Sequence, residues 1–291
     1  MKIAIASGKG GTGKTTLSTN LADMISNRND YQRVILADMD VEEPNSGLFI
    51  NGKLTEEIVR YKLTPEWNKA LCTNCDRCSE VCRFNSVIKL GQTVLILPEL
   101  CHSCYACSEL CTSKALTMQR RAMGRQTVYE TVSFTFIESR LQIGQEQAVP
   151  LIAQSIEYID VEYGSEPLIL LDSPPGSSCP VIETAKNSDF VILVTEPTPF
   201  GLHDLKLAVN TMREIKMDFA VVVNRWGIGN DEVITYCREE KVDIIARLPD
   251  KRRIAELYSM GKLVYLDVPE FAIELEKIAD YINVLKNRRN F

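Results

Sequence analysis

The sequence predicts an α/β protein: a doubly wound, mostly parallel sheet interrupted by a small α+β insertion. Three observations carry this. Short apolar runs of the kind found in parallel strands buried on both faces recur along the chain. Amphipathic helical stretches separate them. The alternation breaks between about residues 63 and 120, where eight of the ten cysteines fall.

In chain order, "KIAIA" (2–6) reads as a buried strand, followed by a glycine-rich turn, a helical pattern from about Lys14 to Arg28, and the strand "RVILAD" (33–38). After residue 140 the strands "EPLILLDS", "DFVILVTE", "DFAVVVN" and "VDIIARL" alternate with helical stretches such as 201–216, 230–240, 251–260 and 270–287. Inside the break, "SVIKLGQTVLIL" reads as a hairpin turning at Gly91 and Gln92, and hairpin-like patterns such as "QTVYETVSFTFI" follow up to about 140. The expected organisation is one α/β domain, residues 1–62 and 120–291, carrying an insertion at 63–119.

Composition narrows the function. A net charge of −6 argues against a general nucleic-acid grip, which wants a basic surface. No stretch approaches the roughly 18 consecutive apolar residues of a membrane span, and no charged-then-apolar leader precedes the first strand. A cytoplasmic setting is expected. There clustered cysteines bind metal more often than they pair as disulfides.

"GKGGTGKT" (8–15) fits the G-x-x-x-x-G-K-[ST] pattern, between a strand and a helix. Its glycines let backbone N–H groups wrap phosphate oxygens at a helix N-terminus. Lys14 would reach the β- and γ-phosphates, and Thr15 would offer its hydroxyl to Mg²⁺. With its early Lys9, the stretch resembles the deviant Walker A motif of the MinD, ParA, Mrp and nitrogenase iron protein family. The resemblance implies an ATPase, with Gly8, Gly10, Gly11, Thr12, Gly13, Lys14, Thr15 and Thr16 as its phosphate-binding set. It also implies a nucleotide-dependent sandwich homodimer in which Lys9 reaches the partner's nucleotide. Further matches follow in family order. "ILADMD" places Asp38 and Asp40 near the magnesium and the attacking water, with Asp40 the better candidate to orient that water. "LILLDSPPG" resembles a Walker B strand, with Asp172 in the magnesium shell. "VVVNR" resembles the adenine site, with Asn224 hydrogen-bonding the base beside Arg225. Lys9, Lys14 and Asp40 are the expected catalytic residues.

Cys72, Cys75, Cys78 and Cys82 follow C-x₂-C-x₂-C-x₃-C, and Cys101, Cys104, Cys107 and Cys111 repeat it. The duplicated pattern is that of bacterial-type ferredoxins holding two 4Fe–4S clusters, where the fourth cysteine of each run ligates the other cluster. The resemblance pairs Cys111 with Cys72, Cys75 and Cys78, and Cys82 with Cys101, Cys104 and Cys107. Arg83 and Thr112 stand where such ferredoxins usually carry proline. Zinc, which favours two more widely separated C-x₂-C knuckles, and disulfides are the weaker alternatives.

Smaller signals read mostly as packing. Cys179 and Cys237 are expected to be buried, and His102 and His203 to be surface or packing residues. Arg120, Arg121 and Arg125 form a solvated hairpin that could meet an acidic redox partner, and "LKNRRNF" is a surface helix end rather than a membrane tail.

The combination resembles MinD-superfamily ATPases with an inserted ferredoxin domain. It implies ATP with Mg²⁺ and two 4Fe–4S clusters as cofactors, and a redox or iron–sulfur protein as partner. The expected function is ATP-gated electron transfer. The alternatives are an Mrp-like cluster carrier, against which the absence of a C-x-x-C after residue 111 counts, and a MinD-like positioning ATPase with structural or sensory clusters.

Overall fold

The computed structural model describes residues 1–289. The central strand β1 (Lys2–Ser7) leads through the glycine-rich turn into α1 (Lys14–Arg28) and then β2 (Val34–Asp38). Two fifteen-residue strands, β3 (Lys53–Trp67) and β6 (Leu116–Glu130), bracket the cysteine region. Between them lie α2 (Arg77–Val81), the hairpin β4 (Val87–Leu90) and β5 (Thr93–Ile96), and α3 (Ala106–Glu109). After β7 (Thr135–Leu141) and α4 (Ala148–Tyr163) the alternation is regular. It runs β8 (Leu168–Pro175), α5 (Cys179–Lys186), β9 (Phe190–Thr195), α6 (Pro199–Glu214), β10 (Phe219–Trp226), α7 (Glu232–Glu239), β11 (Ile244–Pro249), α8 (Arg252–Ser259) and α9 (Pro269–Arg289).

The sheet order is β11-β10-β9-β1-β8-β2-β7-β6-β3. From β11 to β7 every pairing is parallel. Their near-continuous apolar sequences are buried, as sheets flanked by crossover helices require. The chain moves from β1 outward to β2, then returns through β8 to β9 on the other side of β1. That reversal opens a crevice at the carboxyl ends of the strands, where open α/β sheets take up ligands. Leu17 and Leu21 of α1 and Leu275, Ile278 and Ile282 of α9 pack with Leu36 and Leu170 in one core cluster.

The chain divides into two compact units, one of residues 1–57, 126–140 and 152–291, the other of 58–125 and 141–151. β3 was not legible as a strand, because "KLTEEIVRYKLTPEW" is charged and contains Pro65. An edge position tolerates both features, and β3 is the last strand in the sheet order. Arg120, Arg121 and Arg125 lie within strand β6 rather than at a hairpin turn. There Arg120 sits 4.3 Å over the Tyr61 ring and Arg121 pairs with Glu99 at 3.1 Å.

The second unit has its own small core of Val87, Val94, Cys107 and Leu116. Its two cysteine runs adopt the same backbone. Asn74, Asp76 and Asn85 are left-handed in the first run, and Ser103, Tyr105 and Lys114 are left-handed at the equivalent places of the second. Left-handed non-glycine residues are uncommon and persist where surroundings over-determine them. In each run a short 3-10 turn delivers the first cysteine, Cys72 after Lys69–Leu71 and Cys101 after Pro98–Leu100.

Candidate functional site

A cleft of about 670 Å³ opens at the carboxyl ends of the central strands. The glycine-rich loop forms its floor. Gly13 has φ +92°, and a Cβ there would stand 2.2 Å from Asn224 Nδ2; a Cβ on Gly8 would stand 2.4 Å from the Asp204 carbonyl oxygen. Only glycine admits this close approach of backbone to backbone and side chain.

Lys14 is buried and donates to Ser7 Oγ at 2.9 Å. Burial pulls its pKa below the ordinary lysine value, while Asp172, Asp40 and Asp38 act in the opposite direction. Asp38 ends β2 and stands opposite Asp172 of β8 in the β2–β8 register, and Asp40 lies two residues beyond β2. Burial raises both pKa values, and the Asp172 charge adds to the effect at Asp38. Asp38 is fully engaged by backbone, accepting from Asp40 N at 3.0 Å, Asn45 N at 3.1 Å and Ser46 N at 3.0 Å. It thereby organises the loop that carries Asp40. Asp40 is pushed up to about 6, chiefly by burial.

Two buried oxygens in this cleft region have no partner, Thr12 Oγ1 and Asp172 Oδ1. A buried polar atom without a hydrogen bond costs about 1–3 kcal/mol, so each is open to a further partner. The free carboxylate oxygen belongs to Asp172, beside Thr15. Thr15 and Asp172 are the residues that would hold a magnesium ion, which when bound would neutralise phosphate charge.

Several expected residues take other partners here. Asn224 Nδ2 donates to the Thr12 carbonyl at 2.8 Å, and its Oδ1 accepts from Arg225 N at 2.9 Å. Its amide thus clamps β10 onto the phosphate loop. Lys9 Nζ lies 3.5 Å from Glu196, which also pairs with Arg225 at 3.3 Å. Sequence reasoning missed buried Glu196. It also missed Ser46, whose hydroxyl donates to Asp172 Oδ2 at 3.1 Å, and the wall formed by Leu248, Pro249, Asp250, Ile254 and Tyr258. The available signal was position. Glu196 and Pro249 stand at the carboxyl ends of parallel strands, the ligand side of such a sheet.

The second unit sorts its cysteines into two cavities. Cys72, Cys75, Cys78 and Cys111 line one. Cys82, Cys101, Cys104 and Cys107 line the other. Burial pushes Cys107 up to about 11, with Cys101, Cys82 and Cys104 adding repulsion. Burial likewise raises Cys78, helped by Cys72 and Cys111. Burial alone would raise Cys111, but the Ser113 hydroxyl and the backbone N–H groups of Ala115, Leu116 and Ser113 outweigh it and hold the thiol below its ordinary value. Ala115 N donates to Cys111 Sγ at 3.2 Å, and Ser103 N donates to Cys101 Sγ at 3.5 Å. Among the described residues no group of three or more His, Cys, Asp or Glu side chains converges as a single metal ion would require. The sulfurs face shared cavities instead, a donor set that suits an extended inorganic group better than one zinc ion. Trp67, which also lines the first cavity, has its indole Nε1 buried without a partner.

Among the other singled-out residues, Cys179 is exposed rather than buried. It opens α5 just beyond the Gly176 turn, at the rim of the sheet and not in its core. Cys237 is buried, and its thiol is raised to about 11 for that reason. His102 stacks on Phe84 with ring centroids 3.8 Å apart. His203 is exposed on α6. The last two residues of the basic "LKNRRNF" end, 290 and 291, lie outside the described residues. No described helix is long and apolar enough to cross a membrane.

What the cleft can accept follows from its chemistry. A loop of backbone donors with a buried lysine attracts a polyanion, and carboxylates of the adjoining strands balance a cation. This defines a P-loop nucleotide-binding α/β protein. The CobQ/CobB/MinD/ParA nucleotide binding domain matches residues 3–264, and the chain belongs to that family. It is 34% identical to an uncharacterised protein of Methanocaldococcus jannaschii, over 79% of this chain and 80% of that one. It is 23% identical to an iron-sulfur cluster carrier protein of Pyrococcus horikoshii, over 98% of this chain and 86% of that one. The cell division ATPase MinD of Pyrococcus furiosus shares the fold, with TM-score 0.59 and 18% identity over 98% of both chains. MinD of Pyrococcus horikoshii, solved with Mg-ADP, aligns with TM-score 0.58 and 17% identity over 98% of this chain and 96% of that one.

Proposed function

We propose that this protein is an ATPase that couples nucleotide-driven dimer switching to electron transfer through two 4Fe–4S clusters held in a ferredoxin-like insertion. The observation that carries the reading is the partition of eight cysteines into two cavities of four, each combining three thiols of one run with the fourth of the other. Bound clusters would supply one-electron centres. Cys72, Cys75, Cys78 and Cys111 would hold one, and Cys101, Cys104, Cys107 and Cys82 the other. The N–H groups of Ala115 and Ser103 already donate to cysteine sulfur.

In the other unit, the phosphate loop and Lys14 bind and orient the triphosphate, Thr15 and Asp172 hold its magnesium, and Asp40 orients the attacking water. Lys9 leaves Glu196 to reach the nucleotide of a second copy. A redox protein is the partner class that such a chain requires.

The name of the Pyrococcus horikoshii relative favours a second reading, a carrier that delivers clusters. The absence of a C-x-x-C after Cys111 weighs against it. Anaerobic purification separates the readings. The electron-transfer reading expects about eight iron and eight sulfide atoms per chain, retained when an apo-acceptor protein is added. Iron near four, stoichiometric zinc, or rapid transfer of the clusters to the acceptor would overturn it.

A further inference from the structure

We propose that the indole N–H of Trp67 donates a hydrogen bond to the inorganic group held by Cys72, Cys75, Cys78 and Cys111, and raises that group's reduction potential relative to its neighbour's. The inference rests on the two-cluster reading above. Trp67 is the last residue of β3, five positions before the first cysteine, and lines the cavity that those four thiols share. Its Nε1 is buried and has no partner. Indole is a donor only, and a buried Trp N–H ordinarily finds an acceptor.

Lys89 and Ser113, two other polar groups of this cavity, are already engaged. Lys89 pairs with Asp76 and donates to the Asn74 carbonyl at 3.3 Å. The Ser113 hydroxyl lies 3.6 Å from Cys111 Sγ. The unused donor therefore belongs to a residue that lines a cavity holding four sulfur acceptors. The cavity of Cys82, Cys101, Cys104 and Cys107 differs. Phe84 and His102 stack at it, Ser86 Oγ donates to the Leu97 carbonyl at 2.8 Å, and no buried side-chain donor there is left unpartnered among the described residues. A hydrogen bond to cluster sulfur favours the reduced, more negative state. The two centres should therefore differ in potential, and one N–H accounts for part of the difference.

The test uses the full chain, purified anaerobically. Trp67→Phe removes the N–H and keeps an aromatic ring. An EPR-monitored redox titration should show one centre becoming about tenfold harder to reduce, ~59 mV for one electron, with the other unchanged. The chain has two tryptophans, so Trp226→Phe protein labelled with ¹⁵N-indole tryptophan isolates Trp67. Pulsed EPR of its reduced form should show a nitrogen coupling to one centre. That measurement decides the matter if Trp67→Phe fails to fold. Full iron content with unchanged potentials in a folded Trp67→Phe protein, or no nitrogen coupling, overturns the Trp67 assignment and leaves the two-cluster reading standing. Wild-type protein lacking about eight iron atoms overturns both.

Discussion

Asp40 shows how a single side chain can be costly to the fold and useful to the chemistry. Burial lifts its pKa from the ordinary carboxylate value of 3.8 to about 6. A folded-state value above the unfolded one means the residue's contribution is fully present below about pH 4 and lost as pH rises through about 6. Relative to Asp40→Asn, the nucleotide-free protein should therefore lose roughly 1–2 kcal/mol of stability between pH 4 and pH 7, after discounting for partial solvent screening. Denaturant titrations at several pH values check this. A difference between the two proteins that does not vary with pH would refute it. Mg·ATP should stabilise the wild type at neutral pH by ordinary linkage. Lys14→Ala should lose most of that gain, since it removes the cation buried among the three carboxylates.

Elements set which side chains meet. The two cysteine runs share a backbone conformation, yet each fourth thiol faces the cavity of the other run because it follows the short helix α2 or α3 rather than the loop before it. Cys82→Ser should therefore damage the centre associated with Cys101, Cys104 and Cys107, and Cys111→Ser the centre of Cys72, Cys75 and Cys78. Retained iron should fall by about half in each, and the surviving EPR signals should differ between the two variants. Identical residual spectra would contradict the crossed arrangement. In the other unit, the loops after β1 and β9 and the end of β10 bring Lys9, Glu196 and Arg225 into one ion-pair group. Lys9→Ala should spare ATP binding and slow hydrolysis at least tenfold, read by calorimetry and phosphate release. Glu196→Gln should favour the ATP-bound dimer by freeing Lys9, as sedimentation would show. Hydrolysis by a strictly monomeric protein, indifferent to Lys9, would overturn the dimer mechanism.

At the scale of the whole molecule, the question is whether nucleotide and the proposed clusters share a coupling free energy. The chain runs from the Asp38–Asp40 loop into β3 and thence to the first cysteine run. A ligand moves only an equilibrium whose two states it binds unequally. If ATP shifts a cluster's reduction equilibrium tenfold, ~59 mV for one electron, reduction must change ATP affinity by the same factor. Redox titration with and without Mg·ATP, and ATP titration of oxidised and reduced protein, should agree on that factor, with Lys14→Ala losing both effects. Indifference in both directions would overturn the proposed gating function.

Much of this molecule was legible in the sequence because its signals are local. The parallel strands announce themselves as apolar runs, since burial on both faces admits little else. The phosphate loop is visible because glycine spacing encodes a backbone shape within eight residues, and the spacing of each cysteine run is equally local. What tertiary structure alone decided depends on distant partners. β3 is a strand because a sheet edge accepts its charges and its proline. Asn224 clamps the phosphate loop because β10 carries it against Thr12. Glu196 is buried between two cations from separate elements, and Trp67 is left with an unpaired N–H in a cavity that four thiols line. A hydrogen bond or its absence is a property of two positions in space, and a sequence lists only one position after another.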